Sequence, residues 1–229
     1  MPRSKTKIVL AHGAWADGSS WSPVIDALSA RGFDVVAAPL PLTSLADDIR
    51  ALERTLDRGE DNVVLVAHAY AGAVAGSTLS PKVKALVYVA ALAPDEGETV
   101  ADVFQRVEPH PLAPKLAPDA DGFIWLPDEA FANAFAQNAP PVVQARLRAV
   151  QRPISASCIT VPVGPQAWKT VPSWYLIAQG DRMIPEASQR FMAERMKART
   201  QAAAVDHTPG MTAPDAVVGL IVEAARALA

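Results

Sequence analysis

The chain has 229 residues, of which 50% are hydrophobic and 20% charged, with a formal net charge of −3. This length and composition suit one sizeable hydrophobic core and exclude a disordered chain. The weak negative charge gives no basic footprint for nucleic acid. The single cysteine, Cys158, excludes an internal disulfide framework and fits a reducing compartment. We therefore expect a globular cytoplasmic protein with no nucleic-acid partner.

Targeting and membrane segments are not expected. The stretch Met1–Lys7 is basic, but the apolar run that follows it ends at Ala11. That run is too short for the apolar region of a signal peptide. No apolar stretch has the length of a membrane span, so we expect no membrane partner. The sequence does not exclude a homodimer.

Short apolar runs alternate with helical patterns along the first part of the chain. Ser22 and Ser44 stand where helices begin, as serine caps helix N-termini, and Gly32 stands where the first helix ends. The predicted strands around these helices are Ile8–Ala11, Phe33–Ala38, Asn62–Ala67 and Val83–Ala91. Strands that alternate with helices predict a parallel sheet with crossover helices.

The pattern changes between residues 95 and 168, which are rich in proline, hold most of the phenylalanines and show no strand-like alternation. Alternation then resumes with a strand, a helix, a strand and a helix, at Trp174–Ala178, Glu186–Met196, Thr200–Val205 and Asp215–Leu228. We predict one α/β core formed by residues 1–94 and 169–229, with a cap inserted at 95–168. A second independent domain is the alternative, but so short a proline-rich segment makes a poor core.

The most informative motif lies at Val63–Val74, where an apolar strand runs straight into very small residues. This junction has the pattern of a nucleophile elbow, G-x-S-x-G, a strained turn with small residues two before and two after the nucleophile. Ala67 and Ala71 satisfy that demand in place of glycine. The central position, where serine is expected, is Ala69. A methyl group cannot attack a carbonyl carbon.

Two further residues would complete a catalytic triad in the chain order nucleophile, acid, base. Asp181 and His207 each follow a predicted strand, and open α/β sheets place their sites at the carboxyl ends of strands. His207 would act as general base, and Asp181 would orient it. Asp95, after the fourth strand, is the alternative acid. His68 is expected only to hold a loop by hydrogen bonds.

The loop His12–Gly18 follows the first strand and offers backbone donors toward the elbow. We predict an oxyanion hole formed by the N–H groups of Ala14 and Tyr70. Substrate would be bound by Trp15 in this loop and by the aromatic cap residues Phe123 and Trp125. No residue cluster has metal-ligand spacing and no glycine-rich phosphate loop follows a strand, so we expect no metal and no cofactor.

These motifs resemble the α/β-hydrolase superfamily. Within it, the chain is similar to small bacterial esterase-like proteins related to plant methyl-ester esterases and hydroxynitrile lyases. The resemblance covers nearly the whole chain and includes the loop at His12, the elbow, Trp168–Pro185 and His207. It implies an α/β-hydrolase fold of about six mostly or wholly parallel strands, flanked by helices and carrying an inserted cap.

The same resemblance implies a serine at position 69, an acid at Asp181 and a base at His207. The alanine at position 69 is a departure from this pattern. A second departure is Thr208, because plant-type hydroxynitrile lyases carry lysine directly after the histidine. Cyanohydrin cleavage is therefore disfavoured.

The predicted activity is hydrolysis of a small or medium, apolar carboxylic ester or lactone through an acyl-enzyme at position 69. Ala69 has two explanations: a serine replaced to block turnover, or a natural protein without a serine nucleophile. The intact elbow, acid and base favour the first. Two alternative functions stay open, namely cofactor-free proton abstraction by His207 with Asp181 in a lyase or oxygenase-type reaction, and ligand binding without turnover.

Overall fold

The protein, described from a computed structural model at residues 6–58 and 62–228, is built on a six-stranded sheet. Most of the basic N-terminal stretch lies outside the described residues. The strands are β1 (Lys7–Ala11), β2 (Asp34–Ala38), β3 (Val63–His68), β4 (Val83–Val89), β5 (Phe123–Ile124), β6 (Ile154–Ser155), β7 (Ser173–Ala178) and β8 (Arg199–Ala203). The large sheet has the order β2-β1-β3-β4-β7-β8, and all its neighbouring strands pair in parallel.

Helices connect these strands, as the alternating sequence pattern predicts. They are α1 (Ser22–Ala30), α2 (Leu45–Asp57), α3 (Ala71–Ser77), α4 (Val100–Phe104), α5 (Pro141–Ala149), α6 (Glu186–Arg195), α7 (Pro209–Thr212) and α8 (Pro214–Arg226). The Ser44 hydroxyl caps α2 by accepting from the N–H of Asp47. The predicted parallel fold is confirmed. The short helix α7 was not predicted.

The sheet buries both faces, because successive side chains of a strand point to opposite sides. In β1, Ile8 and Leu10 belong to a cluster with α1 and α8, whereas Val9 and Ala11 belong to a second cluster with α2, α3 and α6. The apolar runs of the central strands are therefore fully buried. No helix among the described residues is long and apolar enough to cross a membrane.

The strand order creates the crevice that receives the site. From β1 the chain moves outward to β2, then returns to the other side of β1 and continues outward through β3 and β4. The loops that follow β1 and β3 therefore leave the sheet in opposite directions. Such a reversal opens a crevice at the carboxyl ends of the strands.

Residues 95–168 lie between β4 and β7 and differ from the sequence-based expectation. We expected no strands here, but β5 and β6 form a separate two-stranded antiparallel sheet. Each strand is two residues long, too short to show alternation. Leu126, Phe131 and Phe135 of this segment belong to the same buried cluster as the core elbow. The division into core and cap stays a prediction.

A substitution at Gly72 would test how closely α3 packs against the backbone that follows β4. A Cβ placed on Gly72 would lie 2.3 Å from the carbonyl oxygen of Leu92, which is backbone and cannot rotate away. We expect Gly72→Ala to lower the free energy of unfolding by about 1–3 kcal/mol, the usual cost of overpacking. Chemical denaturation of the purified variant measures it.

Gly219 provides the matched control, because it lies within α8 and a Cβ there meets nothing within 4 Å. Gly219→Ala should stabilise the protein by up to about 1 kcal/mol through helix propensity. Equal effects of the two substitutions would contradict the close approach at Gly72.

Candidate active site

The elbow between β3 and α3 has the backbone conformation of a strained turn. Ala69 has φ 49°, in the left-handed region, which costs an alanine roughly 1–2 kcal/mol. Neighbouring backbone holds it there: the carbonyl oxygen of Ala69 accepts from the N–H groups of Leu92 at 2.9 Å and Gly72 at 3.1 Å. The Ala69 methyl group lines a cavity at the carboxyl end of the sheet.

The loop after β1 lies directly against this elbow. A Cβ added to Gly13 would be 2.9 Å from the Cβ of Ala69 and 3.0 Å from Nδ1 of His68. Only glycine permits this approach without displacement. It brings Ala14 and Tyr70 to the same cavity wall. Among the described residues, no protein acceptor is found for the backbone N–H groups of Ala14 and Tyr70.

The predicted acid and base form a buried pair behind the elbow. His207 Nδ1 lies 2.8 Å from Oδ2 of Asp181, and both side chains are almost wholly buried. Because a carboxylate only accepts, the histidine Nδ1 donates, and the neutral ring keeps Nε2 as its free acceptor. His207 lines the same cavity as Ala69. The alternative acid, Asp95, instead pairs with Lys169 at 2.6 Å.

Asp181 is fixed by further hydrogen bonds that sequence reasoning missed. Its Oδ1 accepts from the backbone N–H groups of Met183 and Ile184 at 2.7 and 2.9 Å, and its Oδ2 accepts from Nε2 of Gln189 at 3.0 Å. Gln189 is fully buried in α6. Its amide oxygen also accepts from the N–H of Ala178, at the end of β7. A polar residue on the inner face of a helix was the available signal.

His68 holds the loop of His207, as expected of a loop-holding residue. Its Nε2 donates to the carbonyl oxygen of His207 at 2.6 Å, and the two rings lie 4.8 Å apart between centroids. Burial, and to a smaller extent the proximity of His207, lowers the pKa of His68 to about 3. His68 is therefore neutral at physiological pH and supplies a hydrogen-bond donor.

The cavity in front of Ala69 has a volume of about 530 Å³. Its wall includes the predicted residues Ala14, Trp15, Ala69, Tyr70 and His207. The remaining wall is mostly apolar, with Leu92, Val100, Phe104, Leu116, Ile124, Ile154, Ile159, Met183 and Ile184. One end carries polar side chains, Gln105, Glu108, His110 and Lys115. A cavity of this size accommodates a medium-sized organic ligand.

Phe123 and Trp125, which were predicted to bind substrate together with Trp15, are not among the residues that line this cavity. Ile124, which stands between Phe123 and Trp125, lines it instead. Side chains alternate along β5, and Trp125 is 51% exposed. Trp15 is placed by a hydrogen bond from its Nε1 to the carbonyl oxygen of Ile124, 2.9 Å long. Phe123 and Trp125 therefore flank a lining residue and do not line this cavity themselves, and their part in substrate binding stays a prediction.

Within residues 6–58 and 62–228, no group of three or more His, Cys, Asp or Glu side chains is placed to hold a metal ion.

A parallel sheet with a left-handed elbow after β3 and a buried Asp–His pair after β7 and β8 defines a protein of the α/β-hydrolase class. Residues 8–220 match the alpha/beta hydrolase family, so the chain belongs to that family. The fold and the resemblance expected from the sequence are thereby confirmed.

Known relatives span nearly the whole chain. Alpha/beta hydrolase nvfD of Aspergillus novofumigatus is 26% identical over 246 residues, covering 96% of this chain and 97% of that protein. Methylesterase 7 of Arabidopsis thaliana is 26% identical over 262 residues, covering 97% of each. The crystal structure of the pyrethroid hydrolase PytH matches with a TM-score of 0.82 at 22% identity, covering 97% of this chain and 98% of that one.

The low pKa of His68 predicts a pH dependence of stability. The unfolded ring titrates near 6.5 and the folded ring near 3, so the unfolded state binds more protons between these values. Stability contributed by neutral His68 is present above pH 6.5 and is lost as the pH falls toward 3, by at most about 1.4 kcal/mol per pH unit. His68→Gln keeps a donor but cannot titrate, so it should flatten this slope. Denaturant unfolding at pH 7, 6, 5 and 4 measures it, and identical slopes would contradict the prediction.

Proposed function

We propose that this site binds an apolar carboxylic ester or lactone of small or medium size and is built for serine-type hydrolysis, with Ala69 at the nucleophile position. The observation that carries the proposal is the left-handed conformation of Ala69, with φ 49°, on the wall that also contains His207. A strained turn at one residue is costly, and it is retained where it aims a side chain at bound ligand.

A hydroxyl group on the side chain at position 69 would complete a serine-type hydrolytic mechanism. The oxygen introduced by Ala69→Ser would attack the ester carbonyl carbon while Nε2 of His207 takes its proton. The tetrahedral intermediate would expel the alcohol, which receives that proton from His207. Water, deprotonated by His207, would then attack the acyl-enzyme and release the carboxylic acid. Asp181 would hold the imidazole and stabilise its charged form.

Negative charge on the substrate oxygen would be stabilised by the backbone N–H groups of Ala14 and Tyr70. Both residues line the cavity beside Ala69. No acceptor within the described chain competes for these two donors, and buried N–H groups are seldom left without one. One such donor contributes about 3 kcal/mol to transition-state stabilisation.

The apolar wall and the volume of about 530 Å³ support an ester with a sizeable apolar group. Similarity to a methylesterase and a pyrethroid hydrolase supports ester chemistry. The Asp181–His207 pair also supports a second candidate. With no nucleophile at position 69, His207 could remove a proton directly from a bound substrate in a cofactor-free reaction.

Replacing the missing oxygen separates these functions. We expect Ala69→Ser to raise turnover of p-nitrophenyl butyrate by several orders of magnitude, because the members of a triad act as a unit. Adding His207→Ala should remove most of that gain. Initial rates and a pre-steady-state burst of p-nitrophenol measure both effects, and the parent chain with Ala69 serves as the control.

The other outcomes are equally informative. A folded Ala69→Ser variant that binds esters and hydrolyses none of a broad panel would defeat the esterase proposal. Activity of the parent chain on a non-ester substrate, lost in His207→Ala and indifferent to serine, would favour base catalysis. Tight ligand capture with no gain from serine would favour a binding protein.

The position of Ile124 on the cavity wall predicts that its side chain contributes to substrate binding. Ile124→Ala should weaken binding of phenyl butyrate to the parent chain about 5- to 30-fold, since it removes methyl and methylene contacts worth about 0.8 kcal/mol each. Trp125→Ala, at a side chain that is 51% exposed, is the matched control and should change affinity less than twofold. Isothermal titration calorimetry measures both. A larger loss for Trp125→Ala would restore the original aromatic assignment.

A further inference from the structure

A buried carboxylate lies beside the elbow and takes no part in the mechanism above. Asp48 belongs to α2 and is fully buried. Its Oδ2 accepts from the hydroxyl of Tyr70 at 2.7 Å, and its Oδ1 accepts from the backbone N–H of Leu42 at 2.7 Å. The two hydrogen bonds join residues 42 and 70, which are far apart along the chain, through a single carboxyl group.

The bond to Tyr70 reaches a residue that lines the cavity and is proposed to supply one of the two oxyanion donors. Tyr70 follows Ala69 directly and begins the turn into α3. Its side chain is only 3% exposed, and its hydroxyl is held by a helix that precedes β3 in the chain. Fixing both the ring and its tip restricts rotation of the Tyr70 peptide about the elbow. Donors to a developing charge act only when they are held in place before the reaction.

The bond to Leu42 reaches a residue whose backbone contacts the segment around Ser155. Leu42 has φ 62°, and its carbonyl oxygen accepts from the N–H of Ser155 at 2.9 Å. Ser157 repeats this connection by donating from its hydroxyl to the carbonyl oxygen of Thr43 at 3.0 Å. The residues that flank this segment, Ile154 and Ile159, line the cavity. Asp48 therefore connects Tyr70, through Leu42, to a segment whose neighbouring residues line the cavity.

Burying the Asp48 carboxyl group costs free energy that an apolar side chain in the same place would not cost. Burial raises the pKa of Asp48. Burial also raises the pKa of the Cys158 thiol, to about 12, and the negative charge of the nearby Asp48 adds to that increase. Well-packed apolar residues often replace buried charged groups without loss of stability. Asp48 accepts hydrogen bonds from the Tyr70 hydroxyl and the Leu42 N–H, and more weakly from Cys158 Sγ at 3.7 Å, which apolar packing in its place would not provide.

We propose that Asp48 is a positioning residue, which orients the Tyr70 N–H toward the substrate oxygen through the Tyr70 hydroxyl. The inference rests on the proposed ester site. It adds a residue outside the Asp181–His207 pair on which the rate of the chemical step depends. Loss of the Asp48–Tyr70 bond should lower kcat and leave KM nearly unchanged, since the donor matters most when charge develops on the oxygen.

Steady-state kinetics on the Ala69→Ser background provide the first test. Asp48→Ala and Tyr70→Phe should each lower kcat about 10- to 100-fold with KM within about twofold, because small misplacements cost this much. The double variant should be no slower than the slower single one, since both changes break the same bond. Asp47→Asn is the matched control, at a neighbouring carboxylate whose side chain is 37% exposed and pairs with Arg50. It should leave kcat and KM unchanged.

Multiplicative effects of the two substitutions, or equal changes in kcat and KM, would overturn the proposal. So would a lower melting temperature with kcat intact, which is the signature of a structural role. If Asp48→Ala fails to fold, the isosteric Asp48→Asn and Tyr70→Phe carry the same comparison, with kcat as the deciding quantity.

A second measurement needs no turnover and uses the parent chain. The protein has three tyrosines, so ¹⁵N-tyrosine labelling gives three backbone amide signals, from Tyr70 and from Tyr88 and Tyr175 in the sheet. Butyrate, whose carboxylate mimics the oxyanion, should shift the Tyr70 amide proton downfield and leave the other two unchanged. Asp48→Ala should reduce that shift at least severalfold.

The outcomes separate the two proposals. No shift at Tyr70 in the parent chain would remove its N–H from the oxyanion hole, and with it the role of Asp48. A shift of equal size in the parent chain and in Asp48→Ala would leave the ester site standing and overturn the positioning role alone.

Discussion

The structure depends on one strained turn, in which Ala69 adopts φ 49° between the end of β3 and the start of α3. The turn is not stabilised by its own sequence, since alanine disfavours this region. It persists because Leu92 and Gly72 donate to its carbonyl oxygen, and because glycine at positions 13 and 72 lets neighbouring backbone approach. The parallel pairing of β1, β3 and β4 supplies all three of these neighbours.

A layered set of buried polar groups surrounds this turn. Asp181 holds His207 through the ring, His68 holds the same residue through its backbone carbonyl, and Gln189 holds Asp181. Asp48 likewise holds Tyr70, the residue after the turn, by accepting a hydrogen bond from its hydroxyl group. Each of these groups is desolvated, so each hydrogen bond is worth more than in water and each unpaired partner would cost more. These hydrogen bonds restrain His207 and Tyr70, and electrostatic catalysis requires groups that are held in place before the reaction.

Ala69 separates binding from turnover in this arrangement. The cavity, the Asp–His pair and the N–H groups of Ala14 and Tyr70, for which the described residues offer no acceptor, do not depend on an oxygen at position 69. In the proposed function, a chain with alanine there would bind an ester and lack the atom that attacks it. Ligand affinity and catalytic rate should therefore respond to different substitutions, with Ile124 governing the first and His207 the second.

The sequence by itself determined the fold class, the strands of the large sheet, the elbow and the Asp181–His207 pair, because each rests on a local pattern. Apolar runs, capping serines and small residues around a turn are readable within a few positions, and the parallel topology then brings the ends of the strands together. Tertiary structure alone decided the rest. Ile124 lines the cavity, whereas Phe123 and Trp125 do not. The sequence could not predict this, because a two-residue strand is too short to show an alternating pattern. Gln189 meets Asp181, and Asp48 meets Tyr70, only through contacts 8 and 22 positions away along the chain. Local propensity does not specify which distant backbone or side chain a buried polar group will meet, because that partner is chosen by packing.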